Sequence, residues 1–298
     1  MLACERIVYA YVLDGESISM FNVKNMEVDD FPFAVQLANT MNWNMTAGDF
    51  EFMMKLEPRG CFVLFHSQER VGIATSVSFG KVGWFGNFIV KEDFRREGAG
   101  SLLMKHAIDF LKRKGVETIG LYAYPHLVKF YESLGFETDI DFLVLQGKAV
   151  FPATQGIARA ARKQDVPELV DFDCHCFGAS RKKLLELILL NTSNLCFILL
   201  ENNEILGYVA AKVYDEMAEV GPLMCPANRV EAAVLLLKTV LGSLKGLNIF
   251  MTIPKKETTL LDILFKAGLK EDFRVTRMFW GPAVAKNCIY AAESLERG

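Results

Sequence analysis

The chain has 298 residues, a formal net charge of −3, 51% hydrophobic residues and 23% charged residues. This composition excludes a disordered chain, and the near-balanced charge excludes a surface whose overall field draws nucleic acid or an anionic membrane; an anionic ligand needs a local site. A single hydrophobic core is near its upper size at this length, so two domains of about 150 residues each are expected.

Seven cysteines (Cys4, Cys61, Cys174, Cys176, Cys196, Cys225 and Cys288) are odd in number and scattered among apolar residues. That pattern fits reduced thiols rather than a disulfide framework. The cluster Cys174-His175-Cys176 has no second pair at ligand spacing, so no metal is expected. Asp14 and Glu16 interrupt the early apolar stretch, which disfavours a signal peptide, and no apolar run is long enough to span a bilayer. A cytoplasmic protein with neither membrane nor nucleic-acid partner is expected; its oligomeric state is left open.

In chain order, a short strand over Ile18–Val23 leads into a helix that starts at Asp30-Phe31-Pro32, where the aspartate can cap and the proline sits early. Strands follow over Cys61–His66, Val71–Phe79 and Gly83–Val90. A helix over Ser101–Lys114 places Leu102, Leu103, Ala107, Phe110 and Leu111 on one face, with Gly115 as its stop. A buried strand, Thr118–Tyr122, is followed by a helix and a terminal strand.

The same series then repeats. Asp30, Pro32, Gly72 and Gly86 recur as Asp165, Pro167, Gly207 and Gly221 at a constant offset of 135; Pro125 and Gly135 recur as Pro254 and Gly268 with small drifts. The second series places strands over Gly156–Ala161, Leu195–Leu200, Ile205–Val213 and Ala218–Cys225. The expected organisation is a first domain over 1–147, a linker over 148–155 that contains Pro152, and a second domain over 156–298.

The segment that carries chemistry lies between a strand and a helix: Asn87-Phe88-Ile89-Val90, a polar stretch, then Arg95-Arg96-Glu97-Gly98-Ala99-Gly100-Ser101. A helix N-terminus carries unpaired amide donors and partial positive charge, and glycines let a pyrophosphate approach them. Arg95 and Arg96 add charge-assisted donors. The string Gly-x-x-x-x-Gly-Lys-Ser/Thr is absent, and three spaced glycines do not follow the first strand, so nucleoside-triphosphate and dinucleotide loops are excluded.

The pattern Arg-x-x-Gly-x-Gly at a strand-to-helix passage resembles the acyl-CoA turn of the GNAT acyltransferase superfamily. A second segment, ending Tyr131-Glu132-Ser133-Leu134-Gly135-Phe136, resembles that superfamily's other motif, in the right order and spacing. Trp43-Asn44, Phe177-Gly178-Ala179-Ser180-Arg181 and Gly221-Pro222 extend the likeness to a tandem-domain subgroup over nearly the whole chain. The resemblance implies an α+β (mixed α/β) fold of two tandem GNAT-like domains, each a mostly antiparallel central sheet flanked by helices.

It also implies an activity: N-acyl transfer, with acetyl-CoA as co-substrate and acetyl the expected acyl group, to an amine of a small or amino-acid-like molecule. Acetylation of a protein or peptide, and a non-catalytic acyl-CoA-binding regulatory module, are the alternatives. In that family Phe88, Ile89 and Val90 would meet the pantetheine arm and carbonyl through their backbone, and the turn Arg95–Ser101 the pyrophosphate. Tyr131 would be the general acid, although a buried tyrosine also fits a core. His126 is a candidate base, although a lone histidine beside proline also fits a surface loop. Trp43, Asn44, Asp171, Asp173 and Arg181 are candidate acceptor contacts. In the second repeat Arg229-Val230-Glu231-Ala232-Ala233-Val234 aligns with the turn, and Leu264 with Tyr131. Both glycines and the phenol are lost, so this copy is expected to be degenerate and to shape the acceptor site.

Overall fold

The computed structural model describes residues 21–148, 151, 158–284 and 288–298. The expected positions 18–20, most of the 148–155 linker, residues 156 and 157, and Cys4 lie outside these residues. Spatial packing divides the described residues into one compact unit that runs to Ser78 and includes Gly83–Val116, and a second of Phe79–Val82 with the described residues from Glu117 onward.

In the first unit, β1 (Phe21–Asn25), β2 (Cys61–His66), β3 (Glu69–Ser78) and β4 (Val82–Val90) pair antiparallel in that order. Side chains alternate across a sheet. Cys61, Val63, Ile73 and Ile89 therefore pack under α1 (Phe31–Asn39) and α2 (Ala47–Leu56), against Phe31, Phe50 and Met53. On the other face Phe62 meets Phe110 and His106 of α3 (Ala99–Arg113) edge-on. Coverage of both faces is why Cys61–Phe65 is buried throughout.

The repeat is legible in one local device. Asp30 accepts from the amide of Glu27 at 2.9 Å and from Arg70 Nε at 2.6 Å. Asp165 accepts from the amide of Arg162 at 2.6 Å and from Arg159 at 2.7 Å. Each aspartate thus closes the 3₁₀ turn that precedes its helix and does not cap the helix itself, which corrects the capping role expected from sequence. Pro32 and Pro167 occupy the first turn, where no amide is needed.

The second unit contains β5 (Thr118–Ala123), α4 (Val128–Glu132), β6 (Glu137–Gly147), β7 (Arg159–Ala160), α5 (Val166–Phe177) and α6 (Lys182–Leu189). There follow β8 (Leu195–Glu201), β9 (Glu204–Val213), β10 (Met217–Met224), α7 (Val230–Ser243), β11 (Asn248–Pro254), α8 (Thr258–Lys266), β12 (Lys270–Trp280) and β13 (Ile289–Ala291). Its strands run β5-β12-β6-β11-β10-β9-β8-β7, antiparallel except for β10 and β11. The two repeats have exchanged their terminal strands. β12, from the second repeat, pairs with β5 and β6 of the first, and β6 pairs with β11 of the second. Mixed α/β architecture with mostly antiparallel sheets is as expected.

Candidate acyl-carrier site

β4 is interrupted one turn of chain before its end. Ile89 pairs with Ile73, but Thr75 pairs with Gly86, so one residue is left over in β4. The extra residue is Asn87, with φ of +47°, a left-handed conformation that asparagine tolerates better than most side chains. The second repeat has the same break at the equivalent place: Val220 pairs with Ala211 and Leu223 with Val209. There Pro222 stands where Asn87 stands in the first.

Asn87 is buried, and its Nδ2 donates to Thr75 Oγ1 at 3.2 Å while its Oδ1 has no hydrogen-bond partner. A buried orphan acceptor is costly, on the order of 1–3 kcal/mol, and such atoms concentrate at functional sites. Sequence reasoning missed Asn87; the signal available was a lone amide inside the apolar strand Gly86–Val90.

Beyond β4 the chain forms a 3₁₀ turn, Glu92–Phe94, and then the expected turn. Arg95 is extended and its Nε donates to the carbonyl of Val90 at 2.8 Å, which ties the turn back to the strand end. Arg96 has φ of +69° and Gly98 φ of +81°. Gly98 is the N-cap of α3 and has no side chain with which to cap it. No side chain caps the first amides of α3, and a Cβ placed on Gly98 would meet nothing within 4 Å; Ala99 is buried, while Gly100 and Ser101 are half-buried. The first turn of α3 holds no acidic residue. Glu97 precedes it and is exposed. The helix starts two residues earlier than the expected Ser101. These features suit an anion of pyrophosphate type.

On the α1–α2 side, Asn39 holds the connecting loop through both ends of its amide: Met45 N donates to Oδ1 at 2.8 Å, and Nδ2 donates to Met45 O at 3.1 Å. Asn42 and Asn44 take φ of +58° and +51° in that loop. Trp43 is half-buried against the core that contains Ile89, and Asn44 is exposed.

In the second unit Tyr131 is buried between Phe130 and Phe136, with ring centroids 5.2 Å and 5.9 Å away. Burial raises its pKa above the usual phenol range, so it stays protonated at neutral pH. His126 is exposed and stacks on Tyr124 at 5.8 Å. Asp171 is exposed.

Asp173 and Arg181 lie deep in the interior instead. Arg181 Nη2 and Nε donate to Asp173 at 2.7 Å and 3.1 Å, and Nη1 donates to Gly298 O at 2.6 Å. The hydroxyl of Tyr208 donates to the same carboxylate. Arg181 also sits 4.1 Å from the centre of the Phe177 ring. Their polar groups are engaged with one another, which explains the Phe177–Arg181 string as structural.

The second repeat's counterpart of the turn is differently built. Arg229 is the N-cap of α7, and its guanidinium is bound by Glu201 at 2.6 Å and 2.9 Å. Glu231 places an acid in the first helical turn, where a phosphate would be repelled. Leu264 is fully buried in the core.

Among the described residues no group of three His, Cys, Asp or Glu could hold a metal ion, and no helix is long and apolar enough to cross a membrane.

Residues 22–136 match the model of the acetyltransferase (GNAT) family, and residues 169–291 match that of an acetyltransferase (GNAT) domain. With one such model on each repeat, the chain carries two GNAT domains in tandem. Among its relatives is an uncharacterized N-acetyltransferase, YitH, of Bacillus subtilis, 23% identical over 68% of this chain and 71% of that protein. The chloroplastic serotonin N-acetyltransferase 2 of Oryza sativa is 35% identical over 26% of this chain and 38% of its own length. In fold the chain is similar to a Pyrococcus horikoshii protein assigned as an acetyltransferase, with a TM-score of 0.79, 19% identity, and coverage of 97% of this chain and 100% of that one. A tandem GNAT protein from the clavulanic acid biosynthesis pathway gives a TM-score of 0.57 at 10% identity, covering 88% and 99%.

Proposed function

We propose that the chain is an N-acetyltransferase that moves an acetyl group from acetyl-CoA to the amine of a small molecule. The first repeat, 1–147, would be catalytic and the second, 156–298, degenerate. The observation that carries this reading is the start of α3, which no side chain caps and where Gly98 is left-handed with nothing within 4 Å of the place a Cβ would take. The N-acetyltransferase names of the relatives, one of them acting on serotonin, support the amine and its small size.

Acetyl-CoA supplies an activated thioester carbonyl when bound. The chain's own part is to hold and polarise it. Amides of Ala99, Gly100 and Ser101, with Arg96, bind the pyrophosphate. Backbone groups of Phe88 and Val90 take the pantetheine arm, and an amide near Ile89 takes the carbonyl oxygen. Asn87 Oδ1 accepts an N–H of the incoming neutral amine, and Trp43 and Asn44 border the acceptor. The C–N bond forms as the C–S bond breaks; the amine proton leaves through water or His126, and Tyr131 returns a proton to the thiolate.

Thiol release from acetyl-CoA across a library of small amines tests the reading. Stimulation by at least one amine, with a matching acetylated product, is expected. Tight CoA binding without release by any amine would replace it with a regulatory binding module, and release by peptides alone would replace the acceptor class.

A further inference from the structure

We infer that the second repeat's acyl-carrier groove has a resident ligand, and that this ligand is the chain's own segment 288–292. The place is defined by the repeat. Leu223, Met224 and Cys225 stand at offset 135 from Phe88, Ile89 and Val90, the residues whose backbone is assigned to the pantetheine arm. β10 pairs with β11 only from Met217 to Val220. Past the break at Gly221-Pro222 the two strands part, and a gap opens that backbone groups must fill or leave unsatisfied.

Segment 288–292 runs in that gap and is hydrogen-bonded toward both strands, to β10 through Cys288 and β13 and to β11 through Ala292. On the β10 side Leu223 pairs with Ala291 and Met224 with Ile289, and the amide of Cys225 donates to Cys288 O at 3.0 Å. On the β11 side the amide of Ala292 donates to Thr252 O at 2.9 Å. The segment thus uses the main-chain groups that a pantetheine arm would use, as an extended peptide does when it is added to a sheet.

Side chains lock it there. Tyr290 donates its hydroxyl to Ala227 O at 3.0 Å, within the loop that leads to the lost phosphate turn. A Cβ on Gly221 would come within 1.9 Å of Ala292 O, so glycine is required for the segment to lie this close. Glu293, fully buried, is bonded to Lys212 at 2.6 Å and to Arg297 at 2.9 Å. The ligand class of this groove is therefore a peptide strand supplied in cis, and the chain holds one acyl-CoA and not two.

What the groove descends from rests on the CoA reading of the first repeat; what fills it does not. Hydrogen exchange on the whole native chain tests the occupant. The amides of Cys225 and Ala292 are expected to exchange about a thousandfold slower than unprotected amides. Saturating CoA is expected to leave both unchanged while titrating to one CoA per chain. Gly221→Ala is expected to speed exchange at Ala292 at least about tenfold with unchanged CoA affinity. Exchange at loop rates in the native chain, a rise on CoA addition, or two CoA per chain would each overturn the inference. Absence of any CoA binding with both amides protected would uphold the strand and remove the acyl-CoA reading instead.

Discussion

Asn87 Nδ2 donates to Thr75 Oγ1 across two neighbouring strands at 3.2 Å, and this bond leaves the opposite end of the amide, Oδ1, buried without a partner. The pair fixes the asparagine on the α1–α2 face, since Thr75 lies opposite Cys61 of that core. Replacing Asn87 by glycine removes the orphan oxygen and suits the positive φ. Asn87→Gly is therefore expected to keep folding stability within about 1 kcal/mol by urea denaturation, while kcat/KM for the amine falls roughly tenfold. Unchanged kinetics would remove Asn87 from the acceptor site.

Gly98→Val tests the anion cradle. A β-branched residue at φ of +81° is strained by about 1–2 kcal/mol and projects into the space left for phosphate. CoA affinity, read by calorimetry, is expected to fall more than about tenfold with circular dichroism unchanged. Wild-type affinity would exclude the turn as the pyrophosphate site.

Tyr131→Phe keeps the ring that packs on Phe130 and Phe136 and removes only the hydroxyl. A drop of about a hundredfold in kcat with CoA affinity retained is expected if the phenol protonates the thiolate. Equal turnover would make Tyr131 a core residue only.

Asp173→Ala strands the Arg181 guanidinium, which is 1% exposed, without its carboxylate. Loss of a buried partner costs about 3–5 kcal/mol, so a clear shift in the urea midpoint is expected. A variant of normal stability that fails to use the acceptor would return both residues to the substrate site.

Glu293 provides the pH dependence. Burial alone would raise its pKa, but Arg297 and Lys212 outweigh it and hold the carboxyl at about 2. A depressed carboxyl contributes stability that is present above the ordinary carboxylate range and is lost as pH falls from there toward 2. Glu293→Gln is expected to flatten the acid limb of a stability profile. The same steep limb in both proteins would assign acid unfolding to other groups.

Local pattern determined much of this protein from the sequence. The strands around Gly72 and Gly86, the amphipathic helix after Gly98 and the glycine turn itself depend on neighbours a few residues apart, and the repeat shows as the same local signals recurring 135 residues later. Backbone preference and hydrophobic period act at that range. Other features depend on partners far apart in the chain. Thr276 with Asp141, Arg181 with Gly298, and Lys212 with Glu293 are separated by 135, 117 and 81 residues. Strand exchange between β6 and β12, and the insertion of β13 beside β10, belong to the same class. No local propensity specifies which edge a strand will join; the choice follows from which buried backbone groups still need partners once the rest of the sheet has formed.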